Sequence, residues 1–192
     1  KVARRYYEIP KEKRNGKCQI TTSTSFFIPK PFTPFQWARM YGNDEYISRA
    51  AIVKHAFNDQ LNRKSLKYNW HDAEITVLEG VFARGDRKAG KVLLEAYRLG
   101  CIYDAWTECF DYGKWLRAFE NTGADMAFYN ERERKEDELF PWDFIDIGVT
   151  KDFLRREWER AMKGEVTPNC REQCSGCGAA KLGGGVCYEG KN

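Results

Sequence analysis

Apolar residues recur at three- and four-residue spacing through most of this chain, which predicts a mainly α protein with a minor β contribution, of α+β class. From about residue 44, Ile47, Ala50, Val53, Phe57 and Leu61 form one stripe. A second stripe, Ile75, Leu78, Val81 and Phe82, follows Asp72 and ends at Arg84-Gly85. Asp86 then caps a helix with Ala89, Val92, Leu93, Ala96 and Tyr97 inward, closed by Gly100. A fourth helix is expected over about 108–121, with Trp115, Leu116 and Phe119 inward and Gly123 beyond its end. Thr150 caps a last one, with Phe153, Leu154, Trp158, Ala161 and Met162 inward, stopped by Gly164.

Two stretches break the helical period. Cys18–Ile28 is rich in β-branched and aromatic residues and reads as a strand. Leu66–Trp70 alternates and reads as a short one. After the first strand come three prolines in six positions, Pro29, Pro31 and Pro34, which forbid helix and central strand alike. That segment is a stiff loop presenting Lys30, Phe32, Thr33, Phe35, Gln36 and Trp37; it serves either as a rigid connector or as a ligand-contacting loop. The mixed-sign run at 131–138 reads as a surface turn, and Leu139–Ile147 as an apolar segment that docks on the body.

Composition and charge sharpen this picture. Hydrophobic residues make up 42% and aromatics 15%, ample for a packed core and unlike a disordered tail. No apolar run approaches the roughly 20 residues of a membrane span, and no secretory signal opens the chain. The chain starts at Lys1 without an initiating Met, so it is expected to be trimmed or part of something longer. Net charge is +4 from 32 basic and 28 acidic residues, too mixed to call for nucleic acid. The basic N-terminus around Tyr6 and Tyr7 leaves RNA contact open.

The seven cysteines are distributed unevenly. Cys18, Cys101 and Cys109 lie among apolar neighbours and read as core filler, whereas Cys170, Cys174, Cys177 and Cys187 crowd the end. An odd total and three thiols within eight positions argue against a secreted disulfide framework and for a reducing, cytoplasmic compartment. The spacing C-x3-C-x2-C lets three thiolates face one centre, with Gly176 and Gly178 relieving crowding. Such a sulfur-rich site suits an iron–sulfur cluster or, alternatively, zinc, with Cys187 as fourth ligand. Unpaired surface thiols or a labile disulfide are the other readings. At Arg84-Gly-Asp-Arg87, Asp86 is a helix cap, and Arg84 and Arg87 either pair with nearby carboxylates or bind a cofactor anion between them.

The ordered series of motifs resembles the radical S-adenosylmethionine family. Thr22-Ser-Thr-Ser-Phe-Phe-Ile-Pro-Lys-Pro-Phe-Thr-Pro-Phe-Gln-Trp37 is similar to its last barrel strand and following loop. Trp70-His-Asp72, Leu78–Arg87, Phe110–Trp115, Pro141–Asp146 and Thr167–Gly178 follow in the family's order. The closest group often carries a cobalamin-binding-like domain upstream. The resemblance implies that residues 1–43 end a (β/α) barrel, that 44–165 form a helical C-terminal domain, and that 166–192 form a cysteine-rich metal tail. Lys30, Thr33, Gln36 and Trp37 would face substrate, and the radical-generating cluster, S-adenosylmethionine and any cobalamin would be held by the N-terminal remainder of the same polypeptide. In the family's radical-generating loop an aromatic precedes the third Cys. Gly176 stands there in this chain, so its cysteines match the additional C-terminal motif instead. The alternative is a stand-alone helical interaction module with a structural zinc site.

Overall fold

The fold is that of a computed structural model, which describes residues 1–182. A short helix, α1 (Val2–Glu8), precedes strand β1 (Ile20–Thr24). Helix α2 (Asn43–Asn58) crosses over to strand β2 (Leu66–Trp70), and the two strands pair in parallel from Ile20 opposite Leu66 to Thr24 opposite Trp70. Parallel strands need such a crossover, and a helix is the usual one. The crossover covers one face of the pair: Phe57 stacks on Tyr68 at 5.4 Å, and the Lys54 ammonium sits 5.4 Å from the Trp70 ring. On the other face Thr21, Ser23, Lys67 and Asn69 are exposed.

Five further helices follow: α3 (Ala73–Arg84), α4 (Arg87–Arg98), α5 (Tyr112–Thr122), α6 (Met126–Asn130) and α7 (Lys151–Met162). Their starts are chemically marked. Asp72 accepts from Ile75 N–H, Asp86 from Lys88 N–H, Asp111 from Lys114 N–H, Asp125 from Ala127 N–H and Thr150 from Phe153 N–H, so each satisfies a backbone donor the helix itself cannot. Gly123 ends α5 at φ 63°, and Gly164 follows α7 at φ 70°, left-handed positions glycine adopts without a Cβ clash.

The main core lies among α3, α4, α5 and α6. Val81, Val92, Ala96 and Ala118 are fully buried there, with Trp115, Phe119 and Tyr129 around them. A second, aromatic cluster joins the proline-rich loop to α7 through Trp37, Phe140, Trp142, Leu154 and Trp158. Met40, Tyr46, Ala73 and Val77 make a third between α2 and α3. Leu139–Ile147 docks as expected through Phe140 and Trp142, while Phe144 is exposed.

Several expected details differ. The strand expected over Cys18–Ile28 pairs only over Ile20–Thr24, because β2 offers five partners and Tyr46 then pulls the chain away. Its hydroxyl donates to the Phe27 carbonyl at 2.5 Å, and its ring stacks on Phe26 at 4.4 Å. The sheet spans the boundary expected at residue 43, since β2 lies beyond it. Helix faces are rotated from the expected stripes: Ile47, Ile75, Phe82, Leu93, Tyr97, Leu116 and Met162 are exposed, and Leu61 lies in solvent past the end of α2. On α4 and α5 the small Ala89, Ala96 and Ala118 are buried beside Val92, Trp115 and Phe119, and this face leaves Leu93, Tyr97 and Leu116 outside. Cys101 is buried as expected, but Cys109 is exposed and Cys18 half-buried. Among the described residues no helix is long and apolar enough to cross a membrane.

Candidate functional site

The proline-rich loop leaves the carboxyl end of β1 and is built around Gln36. The Gln36 side-chain carbonyl accepts from Phe32 N–H at 3.2 Å and from the Trp142 indole N–H at 2.9 Å. The first of these holds Phe32 at φ 58°, a conformation uncommon outside glycine that needs support from its surroundings. Of the four residues expected to face substrate, Gln36 and Trp37 are buried and act in packing. Lys30 is on the surface, paired with Glu79, and the half-buried Thr33 donates its hydroxyl to the Lys30 carbonyl. Of these four, only Lys30 and Thr33 therefore meet solvent.

Arg84 and Arg87 do not form one clamp. Arg87 is in solvent, while Arg84 is fully buried with all three guanidinium nitrogens unpartnered among the described residues. Beside it Arg134, unanticipated in a run that reads as a surface turn, is also buried; it donates to the Arg84 carbonyl at 3.1 Å and lies over the Phe140 and Trp142 rings at 5.4 and 5.3 Å. Burial, and then the neighbouring Arg134 charge, push the Arg84 pKa down to about 10. Glu138 does not neutralise Arg84: it is engaged by Arg132 through bonds of 2.8 and 2.6 Å, which hold its carboxyl below the usual range. The Trp37 indole N–H is another buried donor without a partner among the described residues. By contrast Asp86, in the same tetrapeptide, accepts from both Lys88 N–H and the Tyr129 hydroxyl, at 2.8 Å each.

The cysteine tail returns to the start of α7. Thr150 N–H donates to the Cys177 carbonyl at 2.9 Å, and Arg156 reaches the Ser175 carbonyl at 3.3 Å. Gly178 has φ 96° and lies so close to Gly148 and Thr150 that a Cβ would stand 2.9 Å from each, so glycine is required there by contact with the body as well as by conformation. The half-buried Cys177 sulfur accepts from Ala179 N–H at 3.5 Å. Cys170 and Cys174 are exposed, and no three potential ligands gather into a metal-binding group among the described residues. Cys187 lies outside the described residues.

A concave site that the sequence did not announce opens just past the carboxyl ends of the strands. Phe27, Phe35, Tyr41, Tyr46 and Trp158 wall a cleft of about 380 Å³, with Arg39 and Glu133 also on it. The rings of Phe27 and Phe35, and of Phe35 and Trp158, meet edge to face at 5.6 and 5.5 Å. A shallower extension shares Phe27, Tyr41 and Tyr46 and reaches Thr24 and Tyr68 on the sheet. Its only sequence signal was the aromatic richness of residues 26–46; Trp158 and Glu133 arrive from more than eighty residues away.

These features define a mainly helical protein with one parallel β–α–β unit and a binding-sized cleft at the sheet's carboxyl end. No family model, curated protein or solved structure matches the chain.

Proposed function

We propose that this chain is the C-terminal region of a radical S-adenosylmethionine iron–sulfur enzyme, closing the barrel of its parent and holding an auxiliary metal centre on the cysteine tail. The observation that carries the reading is the β1–α2–β2 unit. Parallel strands are almost always covered on both faces and continued by further strands. Here a single parallel pair has one face on α2 and a polar face, Thr21, Ser23, Lys67 and Asn69, turned away from it. A helix laid outside a parallel pair is what one segment of a (β/α) barrel would contribute, and it supports the motif order read from the sequence, with β2 in place of β1 as the last strand. On this reading the radical-generating cluster, S-adenosylmethionine and any cobalamin belong to other strands of the barrel, and the isolated chain does not cleave S-adenosylmethionine.

For the tail, Cys170, Cys174 and Cys177 with Cys187 would supply thiolates to an iron–sulfur cluster. The soft donor set suits that chemistry, and the glycine-permitted turn at 176–178, with an N–H donated to the Cys177 sulfur, resembles the environment such sulfurs need. Anaerobic reconstitution with iron and sulfide tests the assignment. The expected product has broad visible absorbance that bleaches on reduction and is lost in Cys174→Ser. Stoichiometric zinc without colour would favour the helical module with a structural zinc site instead, and a protein that takes up neither metal would remove the tail's assigned role.

A further inference from the structure

We infer that the aromatic cleft beyond the carboxyl ends of β1 and β2 binds a small planar heteroaromatic ligand bearing an anionic group and a ring amine, the chemistry of a nucleoside monophosphate. Its volume of about 380 Å³ falls in the range of small-molecule pockets, about 300–1,000 Å³. Its place is also the one where parallel sheets take ligands, outside the strands' carboxyl ends, since the extension reaches Thr24 and Tyr68. The inference does not depend on the radical-enzyme reading.

The ligand class follows from which charges line the cleft and how loosely they are held. Arg39 lies 5.0 Å from the Tyr41 ring and donates to both Glu45 carboxylate oxygens at 3.4 Å, long bonds in a partly exposed pair of the kind that contributes little. Arg49 flanks the same ring at 4.7 Å and shares Glu45 at 3.6 Å. Glu133 makes no ion pair among the described residues. A simple cation in the cleft would be opposed by Arg39, and a simple anion by Glu133. A purely apolar occupant would strip water from Arg39 and Glu133 and return nothing to either. A flat ring laid on the aromatic wall that Phe35 and Tyr41 help to form, with its anion on Arg39 and its amine donating to Glu133, uses the aromatic wall and both charges together.

Calorimetry and equilibrium dialysis of the full chain with adenosine 5′-monophosphate, adenosine and inorganic phosphate test this. The expected result is saturable binding of the monophosphate at one site, with adenosine and phosphate each weaker by about tenfold or more. Phe35→Ala and Arg39→Ala each weaken it by about tenfold, the scale of one lost stacking surface or charge-assisted contact. Both residues lie at the surface, so unchanged circular dichroism is expected for both variants, with a small drop in melting temperature for Phe35→Ala through its lost Phe27 and Trp158 contacts. Absence of saturable binding, or equal binding by wild type and both variants, overturns the inference. So does displacement by a short oligoribonucleotide of far higher affinity and steep salt dependence, which would make the cleft part of a strand-binding track.

Discussion

The helical body and the seam beside it treat buried polarity in opposite ways, and the tetrapeptide at 84–87 stands in both. In the body, among α3–α6, apolar side chains close the helix interfaces, and Asp86, the polar group set at the start of α4, is paired twice, holding both that helix start and the Tyr129 hydroxyl. In the seam, where the loop after β1 meets residues 130–142 and α7, the contacts are aromatic, and donors outnumber acceptors. Arg84, Arg134 Nε and Trp37 Nε1 are buried there without a partner among the described residues. Burial alone is therefore a poor guide to what a polar residue contributes. Two residues apart, Asp86 stabilises by satisfying donors, while Arg84 holds a desolvated charge with no hydrogen-bond partner among the described residues, which the Glu138 carboxylate offsets only in part.

This contrast can be broken by mutation. The largest effect is expected at Trp37, the fully buried centre of the aromatic seam: Trp37→Ala should cost about 3–5 kcal/mol, read as a drop in the urea midpoint at constant slope. Arg84→Met should do the reverse. Replacing an unpaired buried charge with an apolar side chain of similar length raises stability by about 1–4 kcal/mol, visible as a higher melting temperature. A loss comparable to that of Trp37→Ala would mean that Arg84 has a partner and that the seam is not short of acceptors. Asp86→Ala should cost about 1–2 kcal/mol through the lost cap and the stranded Tyr129 hydroxyl, with Tyr129→Phe costing less because the cap survives.

The smallest effect is a pH dependence. Arg132 holds the Glu138 carboxyl below its ordinary 4.5. For Asp86, burial pushes upward, but the bonds from Tyr129 and Lys88 outweigh it and leave the carboxyl below 3.8. Both folded values lie under the unfolded ones. Their stabilisation is thus complete above about pH 4.5 and is lost as pH falls through the folded values. Each partly exposed group should contribute about a few tenths of a kcal/mol to 1 kcal/mol. Glu138→Gln should flatten the acid limb of stability against pH; an unchanged limb would show that the Arg132 pair carries no net weight.

Local chemistry was legible in the sequence wherever one residue acts on its own turn. Asp72, Asp86 and Thr150 cap the helices they were expected to cap, and Gly100, Gly123 and Gly164 follow the helices they were expected to close. Helix rotation was less legible. A broad apolar stripe fits several orientations, and the partner's shape selects one: Ala96 of α4 is buried with Ala118 of α5, and Leu93 and Tyr97 are left exposed. The short helix α6 and the burial of Arg134 left no periodic signal, because five residues make little more than one turn and a charge run ordinarily faces water. Of the four loop residues expected to face a ligand, Gln36 and Trp37 turn inward, since Gln36 is needed to hold both Phe32 and Trp142.

The chain alone thus determined a mainly helical class, the strand stretches, most helix starts and stops, and the thiol spacing of the tail, since these depend on residues within a few positions of one another. Only tertiary structure decided that β1 and β2 pair in parallel, that Arg84 and Arg87 part company, and that Trp158 and Glu133 join Phe35 and Arg39 around one cleft. Such contacts close loops of tens to more than a hundred residues. Their geometry is set by how whole elements pack, and no local pattern encodes it.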